Sequence, residues 1–173
     1  MKPIVLIGRA ICWSSGLEEI KKLCPEFDVM AVGMDCPYEG EVQYLVTYHY
    51  KDIKEYIKKR KKNGLSTKFL SISHVKKTPK NILIEEVDIV EPHKDPSGSS
   101  SLLGTAAAIR LGYQKIILCG CPLEGRNQED TRSYNHFQRG WEKRREEVIN
   151  YTRSMSGWTK IFLGYPTKEW LND

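Results

Sequence analysis

Short, predominantly apolar runs punctuate the chain at residues 4–8, 28–33, 44–48, 69–73 and 115–120, the first of them unbroken. Runs of this length and composition predict strands covered on both faces, as in a parallel sheet. Between them the apolar period changes to three or four. Leu17, Ile20 and Leu23 share one face of a predicted helix, with Ser14 or Ser15 as its cap and Cys24-Pro25 as its end. Ile53, Tyr56 and Ile57 share the inner face of a helix over 50–63, while Lys54, Lys58, Lys59, Arg60, Lys61 and Lys62 point outward and Asn63-Gly64 stops it. A third helix covers 99–111 and ends at Gly112. Phe137, Trp141, Val148 and Tyr151 mark a face of a fourth over 137–153. Residues 82–84 and 87–90 predict short strands, antiparallel or at an edge. Residues 160–163 predict a last strand, and 167–171 a terminal helical turn. Strands alternating with helices predict an α/β, Rossmann-like fold: an open, mostly parallel sheet with helices on both faces, in a single domain over 1–173.

In such a sheet, ligands sit beyond the carboxyl ends of the strands where the strand order reverses. That selects the loops at 8–16, 33–38 and 120–136, joined by the turn Ser97-Gly98-Ser99-Ser100-Ser101 that opens the third helix. A helix start leaves backbone N–H groups without chain partners and carries positive potential, so it suits a phosphate or carboxylate. A serine-capped helix without a ligand has the same sequence. Gly8 ends the first strand, and Gly8, Ser14 and Ser15 suit either a nucleotide contact or a plain strand–helix turn. The GxGxxG fingerprint is absent, which argues against a dinucleotide enzyme. Asp35 follows the second strand, where a carboxylate meets ribose hydroxyls or satisfies its own turn. His136 is placed in the long loop after the central strand, where an imidazole would serve as general base. His49, His74 and His93 have no supporting neighbours and read as surface or packing residues, although His93-Lys94-Asp95, just before the serine turn, also suits a ligand contact.

Charge changes the picture locally. The net charge of +5 comes from residues 51–80, which carry eleven Lys/Arg against Asp52 and Glu55, and the rest of the chain is net acidic. A solvated helix face explains this better than nucleic-acid binding, because no aromatic platform interleaves with the lysines. The five cysteines include no CxxC pair, so free thiols in a cytoplasmic protein are expected and no metal site is assigned. No run is long enough for a membrane span.

The block Ser97-Gly98-Ser99-Ser100, Ala106-Ala107-Ala108, Leu111-Gly112-Tyr113 and Ile116-Ile117-Leu118-Cys119-Gly120 resembles two Rossmann-like groups. One comprises motility-accessory-factor and pterin-diphosphokinase-like proteins, the other bacterial CMP-sugar sialyltransferase-like enzymes. Residues Arg153 to Thr159, with Leu163-Gly164, Pro166-Thr167 and Glu169-Trp170-Leu171, look like small phage and prophage proteins of unassigned function. The sialyltransferase-like resemblance implies that Gly8, Ser14, Asp35, Ser97, Gly98, Ser99 and the adjoining Ser100 hold a nucleotide, with His136 as base. Two features depart from that group: Gly8-Arg9-Ala10 after the first strand, and Cys121-Pro122 after Gly120 where an acidic residue is common.

The reading that follows is a nucleotide- or nucleotide-sugar-binding protein with glycosyl or related transferase activity and a nucleotide-type small-molecule partner. A different reading is a catalytically silent phage accessory or morphogenesis protein that works through protein partners. Nucleic-acid binding through the helix at 50–63 is the less favoured third. A homo-oligomer is compatible with all three.

Overall fold

The computed structural model describes residues 2–92, 97, 99–124 and 131–173, the side chains of 131–133 excepted. Seven strands form one sheet: β1 (Ile4–Ile7), β2 (Asp28–Val32), β3 (Tyr44–Val46), β4 (Leu70–Ser73), β5 (Ile89–Val90), β6 (Ile116–Cys119) and β7 (Thr152–Ser154). Their order is β5-β4-β3-β2-β1-β6-β7, and every neighbouring pair is parallel. The chain winds outward from β1 to β5, then crosses back to β6, so the order reverses between β1 and β6. The fold is the expected Rossmann-like α/β architecture.

The helices are α1 (Trp13–Leu23), α2 (Lys51–Lys62), α3 (Ser100–Arg110), α4 (Thr131–Lys143), α5 (Arg145–Val148), α6 (Gly157–Leu163) and α7 (Lys168–Asn172). Alternate side chains of the central strands face opposite ways. Ile4, Leu6, Met30, Val46 and Leu118 form one core with Leu102 and Leu103 of α3, Trp141 of α4, Val148 of α5 and Leu163 of α6. Val5, Ile7, Val29, Ala31, Leu45 and Ile117 form the other with Leu17 and Ile20 of α1, Ile53 and Tyr56 of α2, and Trp170 of α7 at its margin. Both faces of the sheet are therefore covered, which is why β1 and β6 are apolar at every position.

Gly104 sets the height of α3 above the sheet. A Cβ there would lie 2.8 Å from Val46 Cγ1 and 3.0 Å from Met30 Sδ. Its absence lets the helix rest on the middle strands, where it touches β1, β2, β3, β4 and β6.

Several elements differ from expectation. Residues 160–163 are helical, and the last strand is β7. A three-residue apolar run fits either period; here Ile161 is 85% exposed while Leu163 is buried, as one face of a helix requires. The helix predicted over 137–153 starts earlier and is divided, with α4 ending at Lys143 and α5 at Val148 before β7 begins. Ser14 and Ser15 lie inside α1, whose N-cap is Cys12 with no side-chain cap hydrogen bond. Residues 82–84 form no strand among the described residues: Leu83 makes an isolated antiparallel bridge to Lys77, and Ile82 and Leu83 are exposed. β5 is the predicted edge strand, and it is parallel.

Arg60 is the largest correction on α2. Expected outside with the lysines, it is buried at 2% exposure. Its Nε donates to Ser66 O at 2.6 Å, Nη1 to Tyr38 O at 3.1 Å and Nη2 to Gly40 O at 2.9 Å. The guanidinium thus bolts the helix to the loops around it.

Candidate functional site

All seven strands are parallel, so the segments after them meet at one edge of the sheet. The reversal between β1 and β6 falls there, but the backbones close much of that crevice. Gly8 N donates to Cys119 O at 2.8 Å and Ala10 N to Gly120 O at 3.2 Å. A Cβ on Gly8 would lie 2.4 Å from Gly120 O and 2.6 Å from Cys121 Sγ. Gly8 is buried, and its role in the structure is to let the β1 and β6 segments touch.

The loops after β1 and β2 are joined at the surface by Arg9, whose Nη1 meets Asp35 Oδ2 at 3.2 Å. Asp35 is exposed, so the pair is solvated and its carboxylate faces outward. Ser14 is exposed in the first turn of α1.

The start of α3 is built by its own serines. Ser99 is the N-cap: Leu102 N donates to its Oγ at 3.3 Å, and its hydroxyl pairs with Ser101 Oγ at 3.0 Å. Both residues are buried, as is Ser97. Ser100 is half-exposed, and its Oγ accepts from Tyr48 N at 2.9 Å, tying α3 to the segment after β3. Gly98 and His93 lie outside the described residues. The structure therefore brings Gly8, Asp35, Ser97 and Ser99 to Ser101 to the same edge, with the hydroxyls of Ser99 and Ser100 already engaged in the fold.

His136 is not in a loop. α4 begins at Thr131, so His136 stands in its second turn, exposed. Phe137 packs at the margin of the core and Trp141 is fully buried, while Gln138 Nε2 donates to Leu123 O at 2.8 Å. These residues form the inner side of α4 and leave His136 on another side.

Burial pushes the Cys119 thiol up to about 12 and raises Cys36 and Cys121 as well. Such thiols are protonated at neutral pH and suit neither nucleophilic attack nor metal binding. Among the described residues no cluster of His, Cys, Asp or Glu could hold a metal ion.

A cavity of about 680 Å³ lies beyond the ends of β3 and β4, against the start of α2. Tyr48 and His74 form part of its wall, their rings stacked with centroids 3.9 Å apart and planes 12° apart. Burial lowers the His74 pKa, against a smaller opposing effect of the Tyr48 backbone; the charge of His49 lowers it further. His74 has no local signal in the sequence, because its stacking partner, Tyr48, lies far away along the chain. The cluster Tyr48-His49-Tyr50 directly after an apolar run was the available signal.

No helix among the described residues is long and apolar enough to cross a membrane. No family model matches the chain, and no curated protein matches it. Among solved structures, a mutant form of the alpha-2,3/8-sialyltransferase CstII is similar, with a TM-score of 0.62 and 12% sequence identity, over 99% of this chain and 89% of that chain. At that identity the likeness is one of fold.

Proposed function

We propose that this chain binds a nucleotide or nucleotide-sugar at the carboxyl edge of its sheet and that its chemistry is of the transferase type. The observation that carries the reading is the start of α3. It opens at the carboxyl edge in a fold shared from end to end with a sialyltransferase. The anionic part of the ligand sits at that helix start, where the dipole favours negative charge. Asp35 takes the ribose hydroxyls once it exchanges the solvated Arg9 contact for them. Gly8 contributes close backbone approach, and Ser14 an exposed hydroxyl beside it. His136 is the imidazole we assign to take the acceptor's proton, which requires the ligand to reach the exposed side of α4.

The test is thermal stability against CMP, CDP, UDP, GDP and ATP, with and without magnesium. A nucleotide at about 100 times its dissociation constant adds about 2.7 kcal/mol of stability. Ser100→Asp keeps an acceptor for Tyr48 N but places a negative charge at the helix start, so the shift should disappear. A panel without any shift overturns the reading. A shift retained in Ser100→Asp removes α3 from the site. His136→Asn should leave the nucleotide shift intact and abolish transfer from a CMP-sugar.

A further inference from the structure

The cavity beyond β3 and β4 is a different feature from the site above. Among the described residues its lining includes none of Gly8, Ser14, Asp35, Ser97, Ser99, Ser100 or Ser101. Its volume of about 680 Å³ falls within the range of about 300–1,000 Å³ typical of small-molecule sites. Three features define what it would accept.

The first is shape. Tyr48 and His74 stand as a stacked pair in the wall, and Tyr50 adds a third ring. Flat π-faces favour a flat partner, through offset stacking and loss of apolar surface to water. The second is charge. Lys51 and Lys77 both line the cavity, and neither ammonium is ion-paired among the described residues. Asp52 is the carboxylate of the wall, and Thr47 Oγ1 donates to its Oδ2 at 3.2 Å. With two ammonium groups against one carboxylate the wall is net positive, which favours an incoming anion. The third is the ring of His74. Burial favours its neutral form, so it serves as an apolar platform and leaves the positive charge to the lysines.

We propose that this cavity is a second ligand site, for a planar aromatic ring bearing a carboxylate or phosphate, which can be filled while a nucleotide occupies the edge at α3. The ring lies against the Tyr48–His74 pair, and the anionic group meets Lys51 and Lys77. The wall is continuous with the start of α3, because Tyr48 N is the donor held by Ser100. A ligand in the cavity therefore sits next to the proposed nucleotide without sharing its residues. The site does not depend on nucleotide binding.

The experiment uses the full chain and a matched pair of probes, 1-naphthoate and its neutral isostere 1-naphthamide, in calorimetric titrations. Naphthoate should bind at least tenfold more tightly than the amide. In the double variant Lys51→Glu, Lys77→Glu that preference should vanish. Lys51→Glu places an acid in the first turn of α2, where it favours the helix, so loss of binding there is not loss of fold. Tyr48→Leu should weaken both probes alike. Binding of neither probe, equal binding of both, or an unchanged preference in the double variant overturns the proposal. Saturating CMP should not displace naphthoate; displacement would show that the cavity is no second site. If CMP fails to bind while naphthoate binds, the nucleotide reading falls and this one stands.

Discussion

Arg60 shows how far a single side chain can depart from the stripe it belongs to. On α2 it follows Lys58 and Lys59, yet it turns inward because three backbone carbonyls converge on the position it reaches. The planar fork satisfies all three, which the single ammonium of lysine does not. Arg60→Ala leaves those carbonyls without a donor and should destabilise the chain by about 3 kcal/mol, read as a lowered urea midpoint. Arg60→Lys should recover less than half of that loss. His74 supplies a pH signature. Its pKa is lowered in the fold, so the unfolded chain binds the proton more readily. Stability then rises with pH across the window from the depressed folded value to the ordinary value near 6.5, and is lost on acidification through it. Melting temperatures from pH 7.5 to 5 should fall less steeply in His74→Phe than in the parent.

At the scale of elements, α3 and β1 depend on missing side chains. Gly104→Ala gains helix propensity of about 1 kcal/mol. Against that, the new methyl meets Val46, Met30 and Leu6 at 2.8 to 3.1 Å, and overpacking of this kind costs about 1–3 kcal/mol. The variant should melt lower than the parent despite its better helix former. Gly8→Ala is the more severe change, since its Cβ meets Gly120 O, a backbone atom that cannot rotate away. It should also spread the β1 and β6 segments, seen as faster exchange of the amides at positions 8 and 10. Near the C-terminus, apolar content and strand formation part company. Thr152–Ser154 is an edge strand whose buried positions are hydroxyl residues, so it carries no apolar signal. The apolar run at 160–163 carries the signal but forms α6, because Gly157 at φ 65° and Gly164 at φ 88° bound a segment with its own helical turn.

For the whole molecule, two covered sheet faces make thiol chemistry a probe of the fold. Cys12 and Cys24 are half-buried, whereas Cys36, Cys119 and Cys121 are buried. A disulfide-exchange reagent should modify two thiols in the native protein and all five in denaturant, the last three only at the rate of unfolding. Rapid native reaction of Cys119 would contradict the packing of α1 against β6. The charge distribution also takes on meaning only in three dimensions. The run of Lys58, Lys59, Arg60, Lys61 and Lys62 on α2 has no aromatic platform interleaved with it in the sequence. The fold brings Tyr48 and His74 to the start of that helix, where they share a cavity with Lys51 and Lys77.

By itself the sequence determined the architecture. A strand buried on both faces is predominantly apolar, and a helix on its surface repeats every three to four residues, so β1, β2, β3, β4 and β6 and the helices α1, α2, α3 and α7 were legible from local pattern. It also determined that the segments around Gly8, Asp35 and Ser97–Ser101 would share one edge, because parallel strands send all their following segments the same way. Only the tertiary structure decided that Arg60 turns inward, that His136 stands on the exposed side of a helix, and that His74 stacks on Tyr48. Each of these depends on groups distant along the chain: the carbonyls of Tyr38 and Gly40, the core residues of α3 and β6 that Trp141 of α4 packs among, and the adjacency of β3 to β4. Periodicity reports what a residue does within its own element. It carries no information about which other element arrives beside it.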